Sequence, residues 1–191
     1  HQNENSIFIS REDLPQIYSR CDQLIEWGEI QFGTPAEDLE MDKDMWDYCR
    51  VRAAQVLKGN IDTYLEVIED VRPVDDLLLY GGEFEFGTDD ASLMEVEFVC
   101  NPEGLLELGA VDPILKEFIL SVSLRVARDI MSLLPVSRVI THTTMNNKTV
   151  FSGVFDRVTL RKINYSDQIE KIFDSLSYRY ATQYSNGHFN E

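Results

Sequence analysis

Positive charge is scarce in this chain of 191 residues. It has 17 Lys and Arg residues against 34 Asp and Glu residues, which gives a formal net charge of −17. A surface of this sign repels phosphate groups, so nucleic acid and anionic membranes are disfavoured as partners. We therefore expect a basic protein partner, a metal ion, or no partner.

Cysteine is also rare. Cys21, Cys49 and Cys100 are odd in number and widely spaced, and none belongs to a Cys-x-x-Cys pair. This pattern argues against a disulfide framework and against a zinc site. We expect three reduced thiols and a cytoplasmic protein.

Long apolar runs are missing as well. A membrane-spanning helix needs roughly 18–20 apolar residues, and the nearest candidate, residues 113–135, is interrupted by five charged side chains. A hydrophobic fraction of 43% is nevertheless enough for a core, so we expect a folded domain. Because the chain begins at His1 with no basic and then apolar leader, we expect an excised domain or a processed product.

Familiar catalytic motifs are absent from the sequence. It contains no serine nucleophile elbow and no His-Glu-x-x-His metal motif. His142 lies among hydroxyl residues on a predicted strand, where a histidine can act as a general base. The other two histidines, His1 and His188, lie near the ends of the chain. We therefore interpret His142 as a structural or surface residue.

The negative charge is concentrated in the first part of the chain. Residues 1–112 hold 27 Asp and Glu against 7 Lys and Arg, a net of −20, whereas residues 113–191 hold 7 against 10, a net of +3. A field of this size affects partner choice and encounter rate more than the fold. The densest stretch has five acids within eight residues, and we expect it to bind the basic partner: Glu37, Asp38, Glu40, Asp42 and Asp44.

Helical periodicity dominates the first third of the chain. Apolar residues at three- and four-residue steps predict a helix over about 12–31, a second over about 43–58, and a short third helix after Gly59. Asn60 or Asp62 is the expected cap of the third helix. We predict an acidic helical subdomain or cap over residues 1–72.

The apolar period changes to two after Pro73. Strands are predicted over 77–86, 93–100, 138–144 and 149–160, with one helix over about 113–134 and another over about 166–178. Asn146-Asn147 is able to adopt the positive φ of a tight hairpin. The order predicts an α+β fold, in which residues 73–191 form a β-β-α-β-β-α core domain with a mainly antiparallel sheet packed on the central helix.

The first predicted hairpin carries four carboxylates. Alternation places Glu83 and Glu85 on one face of their strand, and Glu95 and Glu97 on one face of the next. Like charges on paired strands are destabilising unless they are solvated or neutralised. One interpretation is a solvated hairpin that is kept charged against aggregation. The other is a site for Mg²⁺, Mn²⁺ or Ca²⁺.

A local motif bears on the metal interpretation. Tyr80-Gly81-Gly82, separated by twelve residues from Glu95-Val96-Glu97-Phe98, resembles the pattern of nucleotidyltransferase-fold enzymes. The turn is Gly-Gly where that family usually has Gly-Ser, Glu replaces the first Asp, and a strand replaces the expected helix. The resemblance implies that Glu95 and Glu97, with Asp156 as the third carboxylate, hold Mg²⁺ or Mn²⁺ over nucleotide phosphates.

Two functions are therefore considered. The first is a non-catalytic protein-interaction or assembly domain whose acidic surface docks on a basic partner, with no cofactor and no catalytic residue assigned. The alternative is a metal-dependent nucleotidyl or phosphoryl transferase that uses Glu95, Glu97 and Asp156. We favour the first because the charge is segregated along the chain and no catalytic set is recognisable.

Overall fold

Helices come first along the chain and are followed by a mixed sheet, so the predicted α+β class is confirmed. The computed structural model describes residues 11–33, 41–80, 82–101, 103, 105, 114–176, 180–182, 184–185 and 188–189. The first part contains a 3₁₀ helix (Arg11–Ser19), α1 (Trp27–Phe32), α2 (Lys43–Leu57), α3 (Ile61–Val71) and a second 3₁₀ helix (Asp75–Tyr80).

The sheet is built from two hairpins joined by a helix. The elements are β1 (Glu83–Gly87), β2 (Leu93–Cys100), α4 (Ile114–Leu133), β3 (Arg138–Met145), β4 (Lys148–Asp156), α5 (Arg157–Arg161), α6 (Ile169–Asp174) and the short strand β5 (Tyr180–Thr182). The strand order is β1-β2-β3-β4-β5, and β2 and β3 pair in parallel while the other neighbours are antiparallel. A separate two-stranded ladder joins β6 (Tyr184–Ser185) to β7 (His188–Phe189).

Helix α4 covers one face of the sheet and lies at the centre of the core. Its residues Phe118, Ile119, Val122 and Val126 are all buried. On the sheet, burial alternates along β2, where Met94, Val96 and Phe98 are buried and the residues between them are not. One face of the sheet therefore packs on α4. No helix in the described part of the chain combines the length and the apolar character needed to cross a membrane.

The predicted helix over 12–31 is wrong, because two short helices replace it. Pro15 lies inside the first 3₁₀ helix, and proline removes a helical donor and clashes with the preceding turn. The chain between the two helices instead bonds to α4, since the amide of Asp22 donates to Asp129 (3.0 Å) and the amide of Ile25 donates to the Ser132 carbonyl (2.8 Å). Long-range bonds thus take the place of helical ones.

Helices α2 and α3 follow the predicted ranges closely, and both are capped by side chains. The Asp42 carboxylate accepts from the Met45 amide (2.8 Å), and Asn60 accepts from the Thr63 amide (3.0 Å). Asn60, rather than Asp62, is thus the cap of α3. Gly59 has φ +76°, the left-handed conformation that commonly ends a helix.

Three other predicted ranges are corrected in detail. The first part of the strand predicted over 77–86 is a 3₁₀ helix, and the strand predicted over 149–160 ends at Asp156, whose side chain caps α5. The helix predicted over 166–178 is shorter, and α6 spans only Ile169–Asp174. Pro113, the predicted start of the central helix, lies outside the described residues. Asn146 and Asn147 have φ of 53° and 62°, so the tight hairpin prediction is confirmed.

The division of the chain at 72/73 stays a prediction. Residues on both sides of this boundary belong to one apolar cluster. The Tyr18 amide donates to Ser121 on α4 (3.0 Å), and the Trp27 indole donates to the Leu133 carbonyl (2.7 Å). The helical part and the sheet thus share a core around α4.

The three cysteines lie apart as free thiols. Cys21 is exposed, whereas Cys49 and Cys100 are buried. Burial raises the pKa of Cys49 to about 11 and the pKa of Cys100 to about 12. Because the thiolate is the reactive form, both buried thiols are inert at neutral pH.

Candidate functional site

Four carboxylates share the face of the sheet that α4 does not cover. Glu85 pairs directly with Glu97, and residues that pair directly on antiparallel strands point to the same face. Glu83 and Glu95 lie two positions along each strand, so alternation places them on that face as well. All four are exposed, and this part of the sequence prediction is confirmed. We call Glu83, Glu85, Glu95 and Glu97 the acidic face.

The acidic face continues onto β3 and β4 as a hydrogen-bonded chain. His142 Nε2 lies 2.8 Å from Glu95 Oε1, and His142 Nδ1 lies 2.8 Å from Ser152 Oγ. An ionised carboxylate only accepts, so Nε2 donates to Glu95 and, in the neutral ring, Nδ1 accepts from the Ser152 hydroxyl. Three neighbouring strands thus hold the imidazole in one orientation.

Few charges compensate the acidic face, although Arg138 of β3 lies on the same face of the sheet and acts electrostatically on the nearby Asp90. Among the described residues, the one ion pair that includes any of its four carboxylates joins Glu95 to His142. Asp89 and Asp90 add two further acids in the turn between β1 and β2. Hydrogen bonds from the amide and hydroxyl of Ser92 lower the pKa of Asp90, so this carboxylate stays ionised near neutral pH. A concentrated negative field results.

Acidic side chains on the helices are arranged differently, because several of them pair with Arg. Arg125 is buried and binds both Asp76 (3.0 Å) and Asp129 (2.6 Å). Other Arg pairs lie nearer the surface: Arg52 with Glu66 (2.9 Å) and Arg72 with Asp75 (2.9 Å). These carboxylates join elements of the fold through Arg side chains, whereas among the described residues the acidic face makes one such link, from Glu95 to His142 of β3.

A cavity of about 420 Å³ opens beside the acidic face. Its lining includes Glu85, Glu95, Glu97 and His142, together with Thr88 and Asp89 of the turn. Carboxylates attract a positively charged group, and a concave site with low-dielectric walls strengthens that attraction. The cavity therefore suits the ammonium or guanidinium group of a basic side chain.

The structure does not bring Asp156 to Glu95 and Glu97. Asp156 pairs with Arg138, which in turn pairs with Leu93, so β3 separates Asp156 from β2. Its carboxylate accepts from the Thr159 amide (2.8 Å) and hydroxyl (2.8 Å), which caps α5. In the described ranges, no three His, Cys, Asp or Glu residues form a group that could hold a metal ion. The three carboxylates implied by the enzyme resemblance are therefore split between a surface pair and a helix cap.

Close packing explains one glycine of the Tyr80-Gly81-Gly82 motif. A Cβ at Gly82 would lie 2.5 Å from the Val99 carbonyl oxygen and would also collide with the Phe98 ring. Glycine is thus required for the chain to enter β1 alongside β2. Gly81 lies outside the described residues.

Only part of the predicted acidic loop can be placed. Glu37, Asp38 and Glu40 lie outside the described residues, so their role in partner binding stays a prediction. Asp42 caps α2 through its side chain, and Asp44 is exposed in the first turn of that helix. At least one of the five acids therefore has a structural role.

The Ser152–His142–Glu95 chain has the residue types of a nucleophile, a base and an orienting acid. Acyl transfer also requires stabilisation of the negative charge that develops on the substrate oxygen. Here the neighbouring Glu85 and Glu97 would oppose such a charge, because both are carboxylates on the same face. The arrangement is therefore better suited to binding a cation than to stabilising an oxyanion.

Sequence reasoning found the four glutamates but missed the partners of His142. Alternation along each strand was a sufficient signal for the glutamates. The contacts of His142 with Glu95 and Ser152 depend on which strands are neighbours. β2 and β3 are neighbours in the sheet, although α4 separates them in the sequence. No local pattern reports that pairing.

Comparisons with known proteins do not identify the chain. No protein-family model matches it, and no curated protein or solved structure shows significant similarity to it.

Proposed function

We propose that this chain is a non-catalytic protein-interaction domain that docks on a basic partner through the acidic face. The observation that carries the proposal is that Glu83, Glu85, Glu95 and Glu97 share one exposed face of the sheet, with no Lys or Arg bound to them in the described part of the chain. Four carboxylates in this arrangement attract positive charge, steer a basic partner and repel acidic competitors.

The energetics of the sheet favour such a partner. Glu85 lies directly opposite Glu97, and like charges in that position destabilise a strand pair. A basic partner relieves this repulsion when it binds. The relief of the repulsion adds to the favourable free energy of association. The sheet also fixes the backbone positions from which the four side chains project, so little backbone ordering is needed on association.

The test compares two variants of equal net charge. One replaces the four glutamates of the acidic face with Gln. The matched control neutralises four exposed acids elsewhere: E12Q, E29Q, D62N and E170Q. A fluorescent lysine homopolymer serves as the basic probe, and association is followed by stopped flow at low and high salt.

We expect the acidic-face variant to lose roughly tenfold or more in association rate at low salt, while the control variant stays close to the original protein. The difference should shrink as salt rises, since charges are screened over about 10 Å at 0.1 M ionic strength. Equal losses in the two variants would show that only net charge matters, and the proposal would fail. A third variant, which neutralises Glu37, Asp38, Glu40, Asp42 and Asp44, tests the predicted loop in the same assay.

A further inference from the structure

Strand β1 forms an open edge of the sheet. It pairs with β2 on one side, and no other described strand pairs with its opposite side. In an antiparallel pair, every second residue directs both its N–H and its C=O groups away from the partner strand. The outer side of β1 thus offers a row of backbone donors and acceptors.

A groove lined by both apolar and charged side chains lies beneath this edge. It encloses about 750 Å³ between α3, the second 3₁₀ helix and β1. Its apolar lining comes from Leu65, Ile68, Leu78, Phe84 and Phe86. Phe84 stacks on Phe98 of β2, with ring centroids 4.6 Å apart, whereas Leu78 remains 36% exposed. Apolar side chains on the inner face of the sheet are therefore only partly covered by the described residues at the β1 edge.

Acidic groups flank the groove on both sides of the edge. Glu69, Asp70 and Asp75 line it on the helical side, where Arg72 pairs with Asp75. Glu83 and Glu85 project from the opposite face of β1. The edge thus combines an apolar row on one face with an acidic row on the other.

We propose that the β1 edge accepts an extended segment of the basic partner as an added strand, in which Lys or Arg alternates with apolar residues. Side chains alternate between the faces of a strand. The apolar residues of the segment would enter the groove next to Phe84 and Phe86, and its basic residues would lie next to Glu83 and Glu85. Main-chain hydrogen bonds supply affinity in this binding mode, and the alternating side chains supply specificity. This inference rests on the proposed function and specifies how the partner binds.

The negative charge of β1 favours binding of a basic segment over pairing with a second copy of the chain. Two β1 strands paired edge to edge would bring Glu83 and Glu85 of one copy against the same residues of the other. Like charges directly opposite are destabilising, and charged edge strands are a common defence against self-association. The same charges attract a strand that carries Lys or Arg.

The first experiment uses two labelled peptides of identical composition. One alternates, as Lys-Val-Lys-Val-Lys-Val-Lys, and the other groups its lysines before its valines. Affinity for the full chain is measured by fluorescence anisotropy. We expect the alternating peptide to bind roughly tenfold more tightly, because only it matches both faces of the edge. Equal affinities would overturn the inference.

The second experiment tests the backbone pairing itself. Two further alternating peptides carry N-methyl groups, one on its lysine amides and the other on its valine amides. An added strand directs alternate amides toward β1 and away from it, so one methylation set should abolish binding and the other should leave it nearly unchanged. Equal effects of the two sets would mean that no strand is added.

Two variants locate the groove. L78S removes an exposed apolar side chain from the groove, and V158S is the matched control because Val158, 61% exposed, follows β4, away from the β1 edge. We expect L78S to weaken the alternating peptide several-fold and V158S to leave its affinity unchanged. Circular dichroism and thermal melts confirm that both variants fold. An equal effect of the two substitutions counts against the groove.

The remaining outcomes separate this inference from the proposed function. If the peptides bind without regard to alternation or methylation, but the acidic-face variant still loses its response to the lysine homopolymer, then charge docking stands and strand addition falls. Sedimentation measures the monomer–dimer equilibrium of the original protein and of the E83K/E85K variant. If the protein forms a dimer and the variant changes its dissociation constant in either direction, the edge binds a second copy and the inference is overturned. Slow hydrogen exchange of the outward amides of residues 83–87 in the free monomer would show that another segment of the same chain already covers the edge. This result would also overturn the inference.

Discussion

Carboxylates on the helices and on the sheet lie in contrasting surroundings. Around α4, Arg125 is buried between Asp76 and Asp129, and the ion pair joins α4 to the second 3₁₀ helix. On the sheet, Glu85 and Glu97 face each other across two strands with no Arg or Lys bound to either in the described ranges. The same residue types therefore hold the fold together in one region and oppose it in the other.

The difference indicates which charges are retained for stability and which for interaction. Breaking the buried Arg125 pair is strongly destabilising, because removal of the Arg leaves the fully buried Asp129 without its cation. Exposed carboxylates on paired strands weaken the sheet slightly, so they are better explained by a role outside the fold, either binding a partner or preventing self-association. Five predictions test this comparison.

The largest effect is expected from Arg125→Met. The substitution removes the cation but leaves Asp129 fully buried, and we expect a loss of about 3–5 kcal/mol in the free energy of unfolding, measured by urea denaturation. Adding Asp129→Asn should recover part of this loss, because the amide oxygen still accepts from the Asp22 amide without a buried charge. Arg52→Met is the control, and its loss should be below about 1 kcal/mol because the Arg52–Glu66 pair is more exposed. Equal losses in the two variants would show that the buried ion pair is no more important for stability than the exposed one.

The second prediction measures the apolar packing on the same helix. Ile119 is buried against the sheet, and Ile119→Ala should lower the free energy of unfolding by about 2–5 kcal/mol. Urea denaturation checks the value, and the exposed residue Val51 offers a control in Val51→Ala, which should change little. A loss below about half a kcal/mol for Ile119→Ala would mean that α4 does not form the core.

The third prediction concerns the acidic face. Glu85→Gln with Glu97→Gln removes the facing like charges and should raise the free energy of unfolding by up to about 1 kcal/mol. The gain should shrink in high salt, which screens exposed charges. A clear loss of stability in low salt would show that these carboxylates contribute to the fold.

A related measurement addresses the transferase alternative. Thermal unfolding of the original protein is compared with that of Glu95→Gln with Glu97→Gln, each with and without millimolar Mg²⁺ or Mn²⁺. Without a metal site, neither protein should gain stability from the ions. A metal-induced shift that the variant loses would favour the metal-dependent enzyme over the interaction domain.

The smallest effect is expected at Glu117 on α4. Burial raises the pKa of Glu117, and the nearby Glu170 adds to the shift. When the pKa of a carboxyl group is raised in the folded state, the folded state is stabilised while the group is protonated. This stabilisation is lost as the pH rises through that pKa, and the ionised group then favours the unfolded state. Glu117→Gln should therefore unfold at a slightly higher temperature than the original protein at pH 7, and the difference should vanish below about pH 4.3. A difference that persists unchanged in acid would point to packing instead of charge.

Local signals predicted much of the fold. Apolar periodicity located α2, α3, β2, β3 and α4, and the Asn146-Asn147 turn was correct because two adjacent positive φ angles favour such residues. The single helix predicted over about 12–31 was wrong, because Pro15 interrupts its helical pattern and the backbone amides of Asp22 and Ile25 donate to α4. Those bonds join residues more than one hundred positions apart, which no local window samples.

The candidate site divides in the same way. Strand alternation was enough to predict that Glu83, Glu85, Glu95 and Glu97 share a face. The orientation of His142 by Glu95 and Ser152 was not predicted, because it requires the parallel pairing of β2 with β3. The separation of Asp156 from the two glutamates on β2 follows from the same pairing and from the helix that Asp156 caps.

The parallel pairing of β2 with β3 also has a consequence for folding kinetics. The two hairpins are local, since β1–β2 and β3–β4 are each closed by a short turn, whereas Leu93 meets Arg138 only after a chain segment that includes α4 has been closed. Long-range pairing of this kind slows folding, because loop-closure entropy is lost before the contacts form. The row from Glu85 through Glu97 and His142 to Ser152 spans both hairpins, so it is completed only at this late step. A newly synthesised chain should therefore display its separate hairpins before it displays the complete binding face.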